Sequence, residues 1–202
     1  SPFLDLGGGP AREEPERVLA LVASGGHSRW YLLENGAGRR LGRTRDDAAG
    51  ESFDKVAQVL GVGYPGGPAI DALARHGDPS AVTLPRPRIK DAPFDFSFSG
   101  LKSAAIRWIR DNNAAGAGSA AGDPSPEVMH LAASFEAAVV EQLLTPLPEL
   151  VDRYRPMMIT ASGGVAANTL LRRELAARGR AQGVEVLLPD RRLTTDNAAM
   201  IA

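Results

Sequence analysis

Two Ser-Gly-Gly turns, each directly after a short apolar run, constrain the fold of this chain more than any other feature. The run VLALVA leads into Ser24–Gly26, and the run MMITA leads into Ser162–Gly164. A continuous apolar run predicts a strand buried on both faces, and glycine lets the backbone turn sharply or approach a ligand closely. With the carboxylates Asp54 and Asp196 near neighbouring elements, the two turns predict a cleft for an anionic, nucleotide-like ligand.

The composition is that of a globular chain without thiol chemistry. Its 202 residues are 44% hydrophobic, enough for one domain with a smaller appended subdomain. The absence of cysteine excludes disulfides, thiolate nucleophiles and cysteine-ligated metal. No run of eighteen apolar residues and no basic-apolar leader occurs, so we expect a soluble chain with no membrane partner. The formal net charge of -1 neither favours nor excludes RNA as a partner.

Apolar spacing and turn residues predict a mixed α/β order along the chain. Residues 1–17 are rich in Gly, Pro and charge, and are interpreted as a mobile lead-in. The predicted strands are 18–23, 29–33, 40–44, 157–161 and 184–188. The predicted helices are 51–60, 69–75, 101–110, 127–144 and 167–178. Gly61 should end the first helix, residues 64–68 should be irregular, and Pro146 and Pro148 should end or kink the fourth helix.

The sequence alone leaves two possible roles open for several polar residues. Asn168 either reads a ribose or base edge or caps the helix that follows the second turn. Asp196 is either a metal or phosphate contact or an N-cap. Asp46 and Asp47 are expected to cap or precede the helix that carries Asp54, and His27 is the one histidine near the proposed cleft.

Five strings carry a resemblance to a known family. LVASGGHS, DDAAGESFDKVAQVLGVGYPGGP, PFDFSFSGLKSA, ASGGVAAN and TTDNAAMIA occur in the order and approximate spacing of the tRNA threonylcarbamoyladenosine synthase family (TsaD). The resemblance covers residues 18–202 nearly continuously. It implies an actin/hexokinase/Hsp70-like fold with ribonuclease-H-like topology, of which residues 18–202 would be the carboxy-terminal lobe, with a mixed sheet and a helical insertion at about 94–150.

The resemblance also implies an enzyme and its reaction. The family transfers the threonylcarbamoyl group of threonylcarbamoyl-AMP to the N6 amine of the adenosine adjoining the anticodon, in tRNAs that read codons beginning with A. It implies a cytoplasmic location and, in bacteria, a paralogous TsaB-like partner and a TsaE-like ATPase. An older name for the family, O-sialoglycoprotein endopeptidase, has no support in the residues of this chain.

Matched motif by motif, the resemblance assigns the site residues. Those expected at the substrate are Val22, Ala23, Ser24, Gly25, Gly26, Asp54, Gly67, Asp71 and Asn168. Asp54 and Gly67 would hold the adenylate or its ribose. Asp196 would be one ligand of a divalent metal, Fe²⁺ or Zn²⁺, and no side chain is assigned as catalytic nucleophile.

The chain departs from the family pattern in one large respect. The family's HxxxH metal motif, upstream of the first glycine turn, is missing, and we therefore expect an inactive fragment that lacks the amino-terminal lobe. Two other functions stay open. One is a related carbamoyltransferase with another substrate, and the other is a non-catalytic nucleotide-binding scaffold subunit.

Overall fold

A computed structural model describes residues 15–117, 124–191 and 194, which form one five-stranded sheet with helices. The strands are β1 Arg17–Ala23, β2 Ser28–Glu34, β3 Ala37–Arg43, β4 Met158–Ser162 and β5 Glu185–Leu187. The helices are α1 Ala49–Leu60, α2 Gly66–Ala74, α3 Ser99–Asp111, α4 Pro126–Leu144, α5 Leu147–Tyr154 and α6 Thr169–Ala181. The predicted lead-in falls almost wholly outside these ranges, and β1 begins at Arg17.

The sheet is mixed, as predicted, with strand order β3-β2-β1-β4-β5. The strands β1, β2 and β3 form an antiparallel meander, whereas β4 and β5 run parallel to β1. Asn35 and Gly36 both have positive φ in the turn that joins β2 to β3, a conformation that these two residue types adopt readily. All five predicted strands are present, with bounds that differ by one to three residues.

Strand β3 lies at one edge of the sheet and is rich in arginine. Its burial pattern is almost entirely exposed, and it carries Arg39, Arg40 and Arg43. The guanidinium carbon of Arg39 lies 5.1 Å from the ring centroid of Tyr154, which is a cation–π contact. The cationic strand is therefore held to α5 on one side and faces solvent along much of its length.

Helix α1 ends as its sequence predicts, but α2 begins earlier than expected. Gly61 caps α1 in the left-handed conformation, with φ of 72°. The prediction that residues 64–68 are irregular holds for residues 64–65 and is wrong for residues 66–68, because α2 starts at Gly66 and includes Pro68 in its first turn. The first amides of a helix have no partner within the helix, so a proline there costs no hydrogen bond. The Asp54 carboxylate accepts the Gly66 amide at 2.7 Å and stabilises this start.

The end of α4 agrees with the prediction, but the helix that follows was not predicted. Helix α4 ends at Leu144, just before Pro146 and Pro148, and a further helix, α5, begins at Leu147. Pro146 is the N-cap of α5 and Pro148 lies in its first turn. Helix α4 itself is buried on most of its surface and begins at the N-cap Ser125, whose hydroxyl accepts the Val128 amide.

Asp46 precedes α1 and does not cap it, which is the second of the two expected positions. The N-cap of α1 is Ala48, which makes no side-chain cap. Asp46 instead accepts the hydroxyls of Ser97 and Ser99 at 2.7 and 2.6 Å and the Phe98 amide at 2.8 Å, which fixes the start of α3. Burial opposes ionisation of Asp46, but the hydrogen bonds from Ser99, Ser97 and Phe98 hold its pKa below the ordinary value.

The core joins the sheet to the helices α1–α6. Leu19 and Leu21 of β1, Ile159 of β4 and Phe135 of α4 are fully buried in a single cluster. Trp30 of β2 is also fully buried, and its indole nitrogen donates to the Leu143 carbonyl near the end of α4 at 3.1 Å. Across the described ranges, the helices all fall short of the length and apolarity that crossing a membrane requires.

The Trp30 contact gives a stability prediction. Trp30→Phe removes the hydrogen bond to Leu143 and leaves a void, so we expect a loss of about 2–4 kcal/mol in the free energy of unfolding. Urea denaturation measures this loss. Trp108→Phe is the matched control, because Trp108 is only partly buried against the core, and its loss should be less than half as large. Equal losses in the two variants would contradict the role given to Trp30.

Candidate functional site

The two Ser-Gly-Gly turns lie side by side at one edge of the sheet. Val22 of β1 pairs with Ser162 of β4 in parallel register, so both turns follow their strands at the same carboxyl edge. This is the edge at which open α/β sheets bind ligands. The first turn is closed by the Ser24 amide, which donates to the His27 carbonyl at 2.7 Å, and by the Ser24 hydroxyl, which accepts the His27 amide at 3.1 Å.

Glycine at position 163 is required by the contact between the turns. Gly163 has φ of 90°, and a Cβ built there would lie closer than 3.0 Å to the Ala23 carbonyl. Gly50 of α1 is similarly confined, since its Cβ would lie 2.6 Å from the Ser24 carbonyl and 2.7 Å from the Gly25 nitrogen. Glycines 25, 26 and 164, in contrast, have open space where a Cβ would go. The confined glycines therefore bring backbones together, and the open ones face outward.

A cavity of about 460 Å³ opens beside these turns, between α1, α2 and the start of α6. Its volume is in the range of small-molecule sites. Five residues that the sequence predicted at the substrate line it: Gly25, Asp54, Gly67, Asp71 and Asn168. Gly164 of the second predicted turn lines it as well. The lining residues that the sequence analysis did not place at the cleft are Gly50, Phe53, Tyr64, Pro65, Pro68, Arg75, Val165, Ala167 and Arg191.

The other predicted residues of the first turn are close to the cavity without lining it. Val22, Ala23, Ser24 and Gly26 are absent from its wall. Ala23 is fully buried, and its carbonyl is occupied by the contact with Gly163. Asp54, which caps α2, also borders a wider groove of about 800 Å³ along α1, together with Gly25 and Tyr64.

Asp71 is the most heavily bonded carboxylate of the cavity wall. It accepts the Arg75 guanidinium at 2.7 Å, the Thr169 amide at 3.0 Å and the Thr169 hydroxyl at 3.1 Å. Burial opposes its ionisation, but the bonds from Arg75 and Thr169 hold the pKa of Asp71 below its ordinary value. Asp71 is therefore an ionised acceptor at neutral pH, positioned where α2 meets α6.

Asn168 has the capping role that the sequence left open, and it also lines the cavity. Its side-chain oxygen accepts the Leu171 amide at 2.9 Å, as the N-cap of α6. Its amide nitrogen donates to Glu136 at 2.6 Å and to Asp71 at 3.3 Å. The predicted helix from residue 167 is thus a short 3₁₀ turn, Gly164–Ala167, followed by α6.

Glu136 of α4 was not predicted as a site residue, because it lies within an apolar helical pattern. It is only 6% exposed. Burial, and next the nearby Asp71 carboxylate, raise the pKa of Glu136 to about 7 against the opposing hydrogen bond from Asn168. A charged residue on the buried face of a helix was the one available signal.

The cavity combines groups that suit a nucleoside. Phe53 and Val165 give apolar surface for a base, and the carboxylates of Asp54 and Asp71 are acceptors for ribose hydroxyls. The described residues offer no fit for a metal ion, since none of their His, Asp and Glu side chains form a group of three that could hold one. Asp196, the predicted metal ligand, lies outside the described residues.

The sheet order and the cleft at its carboxyl edge define a lobe of the actin/hexokinase-like class. A crystal structure of full-length HypF in a phosphate- and nucleotide-bound form has the same fold, with a TM-score of 0.67 over 90% of this chain and 38% of that chain, at 13% identity. Residues 6–202 match the family model described as "TsaD: tRNA N6-adenosine threonylcarbamoyltransferase", and the chain belongs to this family. The suspected resemblance is thereby confirmed.

Curated relatives agree with the family model. The tRNA N6-adenosine threonylcarbamoyltransferase of Moorella thermoacetica is 49% identical over 93% of this chain and 53% of its own length. The protein of the same name from Geobacillus thermodenitrificans is 47% identical, over 92% of this chain and 52% of its own length. The chain spans about half the length of the curated relatives it matches.

The glycine geometry predicts that neighbouring substitutions have different effects on folding. Gly163→Ala forces an L residue into positive φ and against the Ala23 carbonyl, so we expect a loss of at least about 2 kcal/mol in unfolding free energy. Gly164→Ala meets open space and should change stability by no more than about 1 kcal/mol. Thermal and urea unfolding of both variants measure the difference. A well-folded, fully stable Gly163→Ala variant would show that the turns do not make this contact.

Proposed function

We propose that the protein containing this chain transfers the threonylcarbamoyl group of threonylcarbamoyl-AMP to the N6 amine of an adenosine adjoining the anticodon of tRNA. The observation that carries the proposal is the single cavity that gathers Gly25, Asp54, Gly67, Asp71 and Asn168, in a chain of this family. In this proposal the cavity binds the adenylate part of the donor.

The cavity wall supplies groups that match the parts of an adenylate. The Asp71 carboxylate is held ionised by Arg75 and Thr169, so it accepts hydrogen bonds from ribose hydroxyls. Asp54 lies across the cavity as a second acceptor, and Phe53 and Val165 provide apolar contact for the base. The open backbone at Gly25 and Gly164 admits a phosphate close to peptide N–H groups, without a Cβ in between.

The reaction in this proposal is a direct transfer. The tRNA amine attacks the carbamoyl carbon and loses one proton to solvent, the bond from that carbon to the phosphate oxygen of AMP breaks, and AMP leaves with the electron pair. Hydrogen-bond donors that face the leaving phosphate stabilise the charge that develops on it. No covalent intermediate with the chain is required, which agrees with the lack of cysteine and with the absence of an assigned nucleophile.

The metal, the macromolecular partners and the compartment extend the same proposal. We propose that Asp196 gives one ligand to Fe²⁺ or Zn²⁺. Among the described residues, no group of three His, Asp or Glu side chains adds further ligands. The acceptor tRNA, a TsaB-like partner, a TsaE-like ATPase and a cytoplasmic location are proposed from family membership.

The nucleotide cleft is tested by a substitution that should preserve the fold. Gly67 lies in the first turn of α2, has open space for a Cβ and lines the cavity. Gly67→Ala should therefore keep or slightly raise the melting temperature, because alanine favours helix. The new methyl group should weaken AMP binding at least about tenfold, a loss of about 1.4 kcal/mol. Calorimetric titration of the full-length protein with AMP measures the effect.

Gly100→Ala is the matched control for this substitution. Gly100 also lies in the first turn of a helix, α3, with open space for a Cβ, but it does not line the cavity. Its affinity for AMP should equal that of the wild type. Unchanged AMP affinity in a stable Gly67→Ala variant would remove the cavity as the nucleotide site.

The transfer itself is tested by release of AMP from threonylcarbamoyl-AMP with and without tRNA. Full-length wild-type protein should release AMP and modify adenosine only when tRNA is present, and Gly67→Ala should do so more slowly at limiting donor concentration. Release that needs another acceptor would favour a related carbamoyltransferase. Binding without release under any acceptor would favour a scaffold subunit.

The metal assignment has its own measurement. Asp196→Ala in the full-length protein should reduce bound iron or zinc at least about tenfold, because a lost anionic ligand weakens the whole coordination shell. Elemental analysis after purification measures the metal content. A normal content in this variant would exclude Asp196 from the metal site, whatever the outcome of the nucleotide titrations.

A further inference from the structure

Glu136 is a buried carboxyl group behind the cavity wall, next to two residues that line it. It lies on α4, is 6% exposed and accepts the Asn168 amide nitrogen at 2.6 Å. The same amide nitrogen also donates to Asp71, at 3.3 Å. Glu136 is therefore bonded to Asn168 and shares this donor with Asp71, and both of those residues line the cavity.

The orientation of Asn168 is fixed by its neighbours. The Leu171 amide can only donate, so the side-chain oxygen of Asn168 must face it, at 2.9 Å. The amide nitrogen of Asn168 must then face the two carboxyl groups, Glu136 and Asp71. This arrangement satisfies Asn168 only while both carboxyl groups stay close together.

Two carboxyl groups that share one amide nitrogen, as Glu136 and Asp71 share that of Asn168, do not both ionise easily in a buried site. The negative charge is more stable on Asp71, because the Arg75 guanidinium and the amide and hydroxyl of Thr169 donate hydrogen bonds to it. Arg75 contacts Asp71 directly and influences Glu136 from a greater distance. The proton therefore belongs on Glu136.

We propose that Glu136 is a positioning residue for the cleft that acts in its protonated form, donating a hydrogen bond to Asp71 while its other oxygen accepts from Asn168. Its role in ligand binding rests on the proposed function, in which Asp71 and Asn168 contact the nucleoside. Glu136 itself does not line the cavity. It acts by holding these two residues at the spacing that the nucleoside requires.

The direction of the pH effect follows from the pKa. Burial raises the pKa of Glu136 to about 7, above the 4.5 of an ordinary glutamate. The folded protein then holds a proton that the unfolded chain releases, so stability is greatest below about pH 4.5 and is lost as the pH rises through about 7. The charged groups that face Glu136 among the described residues are Asp71 of α2 and Arg75, the residue directly after α2.

Glu136→Gln is the decisive substitution for stability. Glutamine keeps one oxygen to accept from Asn168 and gains an N–H to donate to Asp71, with no proton to lose. Its melting temperature relative to the wild type should rise by several degrees between pH 5 and pH 8. Glu136→Leu keeps the volume but loses both hydrogen bonds, and should be the least stable at every pH.

Glu141→Gln on the same helix is the matched control, with the opposite sign. The hydrogen bond from Arg178, despite burial, lowers the pKa of Glu141, so its stabilisation is present above the unfolded pKa and is lost as the pH falls. Glu141→Gln should therefore lose stability relative to the wild type as the pH rises to about 4.5, and keep a constant difference from it between pH 5 and pH 8. If Glu136→Gln and the wild type respond identically to pH, Glu136 carries no proton of this kind and the proposal is overturned.

Adenosine binding tests the positioning role, because adenosine has no phosphate that titrates near neutral pH. In the full-length wild type its affinity should fall by up to about tenfold from pH 6 to pH 8, as the protonated fraction falls with a pKa of about 7. In Glu136→Gln the affinity should stay constant and match the wild type at pH 6. Equal pH dependence in both proteins would overturn the role in positioning.

The two proposals fail in different ways. In the first case, adenosine and AMP bind at no pH while the stability profiles differ as expected. The cavity is then not a nucleotide site, and the positioning role of Glu136 is overturned, although Glu136 is still a protonated structural group. If nucleotides bind with the same pH dependence in wild type and Glu136→Gln, the cleft stands and Glu136 does not act on it.

Discussion

The contact between two backbones at the end of β1 and β4 is the constraint on which the rest of the site depends. The Ala23 carbonyl lies against Gly163, and Gly50 of α1 lies against the Ser24 carbonyl. Because no side chain separates these segments, both turns and the start of α1 reach the same edge of the sheet. The cavity exists beside this contact, and its polar residues come from the helices that begin there.

The sequence predicted the fold where a local signal decides the structure. All five predicted strands are present, and Gly61 ended α1 in the left-handed conformation, as its type favours. Prediction failed at Pro68, where a proline in a first helical turn was taken to exclude a helix, and helix α5, with Pro148 in its first turn, was not predicted. Whether α2 begins at Gly66 depends on the distant Asp54 carboxylate, a contact that no spacing rule contains.

The cavity was predictable mainly from the resemblance to a family, and the contacts behind it were not. Gly25, Asp54, Gly67, Asp71 and Asn168 meet at one cavity, although up to 143 positions separate them along the chain. Glu136 was not predicted as part of the site, because helical periodicity indicates only that a position is buried. The reason for its burial is a hydrogen bond to Asn168, 32 positions away. Arg191, which is followed by a second arginine, gave no signal for a place at the cavity, since arginine is usually a solvated side chain.

The arginine-rich strand β3 has a consequence for how copies of the chain meet each other. An edge strand offers unpaired peptide groups to any other strand, and natural sheets block such pairing with charge. Arg39, Arg40 and Arg43 would oppose like charges if two β3 strands from separate copies came together, and such pairs repel. The arginines of β3 therefore oppose extension of the sheet and fibrous association between copies of the chain. Arg39 can do so while it remains bound to Tyr154.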